Sequence, residues 1–335
     1  MKLFTISGFF FALLSTPTFS QVTVDSIYHC IKSNSIYSQQ VNWDKIDSIY
    51  HSQLSKTNTL EDSLNVFSEI FKMVGDFKAK LFYKNREILP HSLNKTAVIP
   101  DSSMRALSHQ QKNKIFRTKL LQDIVYIRVP TLEAKDTNAA RQLAQALYDS
   151  TILYTADLVK SYIIDLRLST GGNIIATLAG LSPLLGEGSV VKEIDASGRV
   201  IKNWNLRQCN VYEDSTQKSH IRCRQMDPIT HKPVVVLLSP ITSGAGNFAA
   251  IAFKRRLNTY FIGEATDEGL TGIQEQIHFS NEISLQLTTH VMADRANTLF
   301  PSRVSPDKRV FHGDRFDQLL SDKKIRAAVD WFSKR

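Results

Sequence analysis

The sequence predicts an α/β protein with a mainly parallel sheet, preceded by an N-terminal helical region. Three observations carry this. Residues 162–166, apolar but for Asp165, and 234–238 are apolar runs without alternation, the pattern of strands buried on both faces of a parallel sheet. Each runs through a glycine-containing turn, with Gly171 and Gly172 in the first and Gly244 and Gly246 in the second, into an apolar helical pattern. From residue 123 onward strands and helices alternate, which puts helices on both faces of the sheet.

In chain order, residues 25–33, 43–54 and 60–74 show the i, i+3, i+4 apolar spacing of helices. Thr59 to Asp62 has the form of a capping box at the start of the third run. Residues 84–112, with Pro90 and Pro100, are polar and aperiodic and read as a connector. Beyond it, 124–129 reads as a strand, 137–159 as a long helix, 162–166 as a buried strand and 174–185 as a helix. Residues 190–204 have strand character, and the buried strand at 234–238 leads into an alanine-rich helix at 245–254. Strands at 260–262 and 283–291 and a helix at 325–331 follow.

The first residues have the form of an export signal. Lys2 is followed by an apolar stretch over 3–14 and small residues over 15–20. The expected organisation is a leader at 1–20, a helical region with its connector at 21–111, and an α/β core at 112–335. The expected location is periplasmic or extracellular. Beyond the leader no stretch reaches the ~18 apolar residues that would span a bilayer, so no integral membrane segment is expected. Export permits a disulfide. Cys209 and Cys223 flank a polar stretch that can form a hairpin; they can pair or stay reduced, because spacing does not fix connectivity. Cys30 reads as a small buried apolar side chain.

The formal net charge is +9, but the basic residues are scattered. Lys254-Arg255-Arg256 is the only run, and it reads as the solvated last turn of a helix, where cations suit the dipole. No basic stripe with interleaved aromatics exists, which argues against nucleic acid as a partner. No two histidines have His-x-x-x-His spacing and no phosphate loop is present, so neither metal nor cofactor is expected.

In a parallel sheet ligands sit at the carboxyl ends of the strands, where both glycine turns fall. Gly171 and Gly172 give a backbone free to aim N–H groups into a cleft. Ala245 opens a helix whose N-terminus attracts negative charge. Two such N–H sources facing one another can stabilise an oxyanion; the same glycines also suit tight strand-to-helix turns.

A set of short segments then matters through its order and spacing. Ile164-Asp165-Leu166-Arg167 precedes Gly171-Gly172-Asn173 and the stretch 178–187. Ala252-Phe253-Lys254, Asn258-Thr259, Ile262-Gly263-Glu264 and Ala293-Asp294-Arg295 follow. Earlier in the chain stand Asn34-Ser35-Ile36-Tyr37, Val41-Asn42-Trp43 and Val74-Gly75-Asp76. The set resembles the tail-specific (C-terminal processing) and tricorn-core family of serine peptidases. The resemblance implies a crotonase-like (ClpP-like) core, an oxyanion hole at Gly171, Gly172 and Ala245, and peptide or protein C-terminal segments as partners.

The chain departs from that family where its chemistry lies. The family's second turn reads Thr-Ala-Ser-(Ala/Ser)-(Gly/Ser)-Glu. Laid on Thr242 without a gap, it puts the nucleophile on Gly244 and the glutamate on Asn247. Ser243 stands one residue early, where a turn aims the side chain elsewhere. One branch draws a lysine base from the stretch matching 266–270, which holds none here; the other draws a histidine that falls on Lys78, which reads as solvated. His91 is the nearest substitute. Three readings follow: a degenerate member that binds peptides without cutting them, an active serine peptidase using Ser243 and an unrecognised base, or a cleft for a small apolar ligand. Loss of nucleophile, base and glutamate together favours the first.

Overall fold

The computed structural model describes residues 19–84, 86–89, 102–121, 123–154, 158–224, 229–267 and 272–335. The expected leader, apart from Phe19 and Ser20, lies outside these residues, as do His91 and Gly269.

Four helices come first: α1 (Phe19–Asn34), α2 (Trp43–Leu54), α3 (Leu60–Asn65) and α4 (Phe67–Val74). Then come β1 (Lys80–Tyr83), β2 (Arg86–Ile88), α5 (Ser102–Gln110), β3 (Phe116–Leu120), β4 (Ile124–Arg128) and α6 (Thr137–Thr151). The middle of the chain holds β5 (Ser161–Asp165), α7 (Ile174–Leu185), β6 (Gly188–Asp195), β7 (Val200–Arg207), β8 (Asn210–Glu213) and β9 (Thr216–Gln217). It closes with β10 (Val234–Leu238), α8 (Ala245–Phe253), β11 (Thr259–Gly263), β12 (Gly272–His278), β13 (Ile283–Asp294), β14 (Leu299–Phe300), β15 (Lys308–Arg309) and α9 (Lys323–Phe332).

The fold is mixed α/β, in two sheets. A six-stranded sheet runs β15-β11-β10-β5-β4-β3 and is parallel except at the β3–β4 pair. Ile163 at its centre lies between Tyr126 and Val235. Every residue of β4, β5 and β10 is buried, which is why their sequences do not alternate. One face packs on α6, α7 and α8, the other on Ile325, Ala327 and Ala328 of α9. The second sheet, of nine strands, is antiparallel along β2-β1-β13-β6-β7-β8-β9, with β12 and β14 also pairing β13. The expectation of a mainly parallel sheet therefore describes one layer, and the antiparallel layer is a correction to it. Apart from the long, buried β13, the strands of that layer are short or partly exposed, so their apolar signal is weaker.

The N-terminal helices bury their apolar faces on this second sheet, against Leu81, Ile88, Ile283, Leu285 and Leu287. Helix α4 is too short to stand alone. It buries Phe67, Ile70, Phe71 and Val74, each worth about 2 kcal/mol of burial. The expected helix over 60–74 breaks at Val66, which ends α3 and begins α4. The helix expected to reach 159 stops at Thr151. There Ser150 and Thr151 turn their hydroxyls back onto the carbonyls of Ala146 and Leu147, a local bond that competes with continuation. Two further expectations change. The polar connector contains β2 and α5, and α5 docks on the sheet by Met104 and Ser108. Within Lys254-Arg255-Arg256 only Arg255 is exposed; Lys254 is half-buried and Arg256 buried. Cys209 and Cys223 form a disulfide, and Cys30 is a free, half-buried thiol.

Candidate functional site

At the carboxyl end of β5 the chain places an ion network before it places any chemistry. Arg167 is fully buried and forks onto Asp165 with Nε and Nη2 at 2.9 and 2.7 Å. Its Nη1 reaches Asp314 and Asp322, and Phe316 stacks on its guanidinium at 4.6 Å. Lys324, equally buried, binds Asp314 at 2.8 Å and Glu264 at 3.2 Å. Burial alone would raise the Asp165 carboxyl, but Arg167, Arg128 and the Tyr126 hydroxyl hold it below the ordinary carboxylate range. The network ties residues 314–324 under the sheet end, and planar Arg–carboxylate forks fix that geometry.

Above it the two glycine turns meet. The β10–α8 turn is laced onto the β5–α7 turn by side-chain and backbone donors. Ser239 Oγ donates to the Arg167 carbonyl at 2.7 Å and Thr242 Oγ1 to the Leu166 carbonyl at 3.0 Å. The Ser243 N–H donates to the Ser169 carbonyl at 2.9 Å. Ser243 Oγ donates to the Thr170 carbonyl at 2.8 Å, and the residue is 6% exposed. Its hydroxyl is thus spent on holding the turns together. From outside, Ser108 of α5 donates to the Leu168 carbonyl at 2.8 Å, and Thr131 Oγ1 accepts the Thr170 N–H at 2.9 Å. No local pattern around Ser108 or Thr131 marks this grip, which exists only in the folded chain.

Gly244 is the N-cap of α8 with φ 52 and ψ −119, and no side chain caps the helix there. This is a sharp strand-to-helix turn of the kind on which hydrolases mount a nucleophile. A Cβ at Gly244 would lie 2.9 Å from the Gly171 Cα, and one at Gly246 would lie 2.6 Å from the Ser169 carbonyl oxygen. Gly171 has φ 153 and Gly172 φ 96, and Gly172 bridges Leu132. The structure therefore brings Gly171, Gly172, Gly244 and Ala245 to one place. Ala245, the first residue of α8, is buried, and helix geometry leaves its N–H without an i−4 acceptor.

Lys78 lies in the turn between α4 and β1. Its turn is fastened to β13 in the second sheet by Asp76, whose carboxylate accepts the Thr288 N–H and hydroxyl at 2.9 and 3.0 Å. The Lys78 N–H donates to Asp76 at 3.2 Å and its carbonyl accepts from Gln274 at 2.7 Å; the residue is half-buried. Two polar groups beside the glycine turns find no partner among the described residues: the Asn247 amide, fully buried in the first turn of α8, and Ser169 Oγ. No cluster of metal ligands occurs among the described residues. Two cavities, of about 940 and 340 Å³, open beside Gly172 and Asn173 rather than at Gly244.

The comparisons with known proteins agree with this architecture. A lipoprotein from Streptococcus agalactiae superposes with a TM-score of 0.58 over 96% of this chain and 99% of its own, at 18% identity. The photosystem II D1 C-terminal processing protease superposes with a TM-score of 0.52 over 92% of this chain and 97% of its own, at 14% identity. At such identities the likeness concerns the fold alone. The nisin-resistance protein of Lactococcus lactis subsp. lactis is 27% identical over 146 residues, 43% of this chain and 44% of that protein, so the match spans less than half of its length. The model of peptidase family S41 matches residues 123–310, from β4 through both glycine turns to the β15 edge. With that match covering more than half of its length, the chain belongs to peptidase family S41.

Proposed function

We propose that this chain is an exported S41-family protein that holds peptide or protein C-terminal segments in the family's cleft without hydrolysing them. In this reading the six-stranded sheet is a crotonase-like core, and Gly171, Gly172 and Ala245 are the remains of its oxyanion hole. Gly244 occupies the nucleophile position and Lys78 the base position. The observation that carries the reading is the closure at Gly244. The position has no side chain, and the Gly171 Cα stands 2.9 Å from where a Cβ would go, closer than such atoms pack. Removing nucleophile and base as a unit costs on the order of 10⁶ in rate. The alternative, Ser243 as a shifted nucleophile, is disfavoured by its hydroxyl donating to the Thr170 carbonyl.

Export is supported by the Cys209–Cys223 disulfide, which suits an oxidising compartment. No described helix is long and apolar enough to cross a membrane.

The test is to incubate purified protein with a diverse peptide mixture, follow cleavage by mass spectrometry, and measure binding of the same peptides by fluorescence polarisation. Binding without new fragments is the expected result. Fragments that vanish in the Ser243→Ala variant would establish the alternative.

A further inference from the structure

The two cavities beside Asn173 run into one another along α6, sharing Ala134, Lys135 and Asn173. The larger reaches Gly172 over the apolar surface of Ala139, Leu143 and Ala146. The smaller gathers charge of one sign. Lys135, Arg141 and Lys218 line it with His220, against a single carboxylate, Asp136. Asp136 is already occupied, accepting the Ala139 N–H at 2.7 Å as the N-cap of α6. Both α6 and α7 begin here, so the positive ends of two helix dipoles add to the side-chain charge. Lys218 lies 2.6 Å from Glu213 at the rim, and Arg141 donates to Asn138 at 3.0 Å. The lone acid of the larger cavity, Glu133, lies 2.6 Å from Lys112.

The segment after β9 is fastened to α6. The Arg222 N–H donates to Gln145 of α6 at 2.7 Å and the Arg224 N–H to the Tyr148 hydroxyl at 3.0 Å. Between them Cys223 is tied to Cys209. Arg222 and Arg224 extend the basic surface beyond the groove.

We propose that this groove seats an extended peptide bearing acidic side chains. An apolar residue rests on Ala139, Leu143 and Ala146 beside Gly172, and a side-chain carboxylate enters the smaller cavity among Lys135, Arg141 and Lys218. The inference rests on the peptide-binding reading above and adds the chemistry of the partner to it. Neither Lys135 nor Arg141 is buried, so reversing their charge leaves the core untouched.

The experiment uses three fluorescein-labelled peptides of equal length and apolar content, all amidated at the C-terminus: one acidic, one neutral, one basic. They are titrated into the disulfide-bonded protein and into the double variant Lys135→Glu, Arg141→Glu. The wild type should bind the acidic peptide about tenfold more tightly than the neutral one, the effect of a few partly screened ion pairs acting together. Added salt should erase that margin, and the double variant should prefer the basic peptide. Equal binding of all three peptides, or an acidic preference that survives the double change, overturns the inference while the peptide-binding reading stands. So does binding of the same peptides only as free acids, regardless of side-chain charge. Failure of every peptide to bind, amidated and free-acid alike, removes both.

Discussion

At its C-terminal end α8 hands the Ala252 carbonyl to Arg295 at 3.0 Å, and the same guanidinium reaches the Leu185 carbonyl at the end of α7. Arg256 joins them with donors to Leu184, Leu257, Thr230 and Lys232 carbonyls, although burial and then the neighbouring Arg295 push its pKa down to about 10. Lys254 donates to the Ser305 carbonyl at 3.1 Å and sits over the Phe261 ring. At its N-terminal end no side chain caps the helix, and the buried Asn247 amide has no partner among the described residues. Cations at the first end satisfy helix carbonyls and complement the dipole. At the second end, donors and acceptors stand without the groups that a hydrolase would aim there. The scaffold residues of the family pattern, Asp165, Arg167, Lys254 and Arg295, all have structural work in this chain. In the reading proposed above, the chemical positions fall on Gly244, Asn247 and Lys78 and are reassigned or emptied.

The largest expected effect lies on the scaffold side. Arg167→Met leaves Asp165 and Asp322 buried without their counter-charge, and should cost about 3–5 kcal/mol in chemical denaturation. A loss below about 1 kcal/mol would mean that the network is dispensable and the contrast false. Acid should act on the same place. Because the folded Asp165 pKa lies below its unfolded value, its contribution is complete above the unfolded pKa of about 3.9 and is lost as pH falls through the folded value. Thermal unfolding of the wild type followed below about pH 4 should show that decline.

At the turn the effects are smaller and sharper in meaning. Gly244→Ala adds a Cβ at φ 52 against the Gly171 backbone, and should cost about 2 kcal/mol through backbone strain and overpacking. A neutral result would show that the two turns have room to part and that the cleft is open. Ser243→Ala removes the bond to the Thr170 carbonyl and should cost about 1 kcal/mol without changing any activity. Asn247→Leu, which replaces an unpartnered amide by an apolar group of similar volume, should be neutral or stabilising by up to about 1 kcal/mol. A substantial loss there would mean that the amide has a partner in solution and that this end of α8 is a working site.

Much of the scaffold was legible because burial writes itself into sequence. Helix α7 and strand β10 have the boundaries that their apolar runs implied, and β5 and α8 differ by a residue. Helix α5 was not legible: it is polar, and its few buried groups are decided by docking on Leu168 and Thr170. The antiparallel sheet was legible only in pieces, since β1, β2 and β12 are short or half-exposed. At the site, the displacement of Ser243 from the nucleophile position could be counted from the sequence. That its hydroxyl would be consumed by Thr170, and that Gly171 would close on Gly244, depends on how two turns far apart in the chain come to face one another. The Lys254-Arg255-Arg256 run misled for a related reason: charge alone does not show that helix carbonyls wait for Arg256 in the interior.

The proposal that the nucleophile position is empty is tested most directly by fluorophosphonate labelling of the purified wild-type protein, with the adduct sought by intact mass and peptide mapping. An activated serine needs a base within hydrogen-bond reach and donors about 3 Å from the developing oxyanion. With Gly244 lacking a side chain and Ser243 donating to Thr170, no adduct should form, at Ser243 or at any other serine. An adduct on Ser243 that disappears in Ser243→Ala would contradict this and make the protein a working peptidase with its nucleophile shifted by one residue.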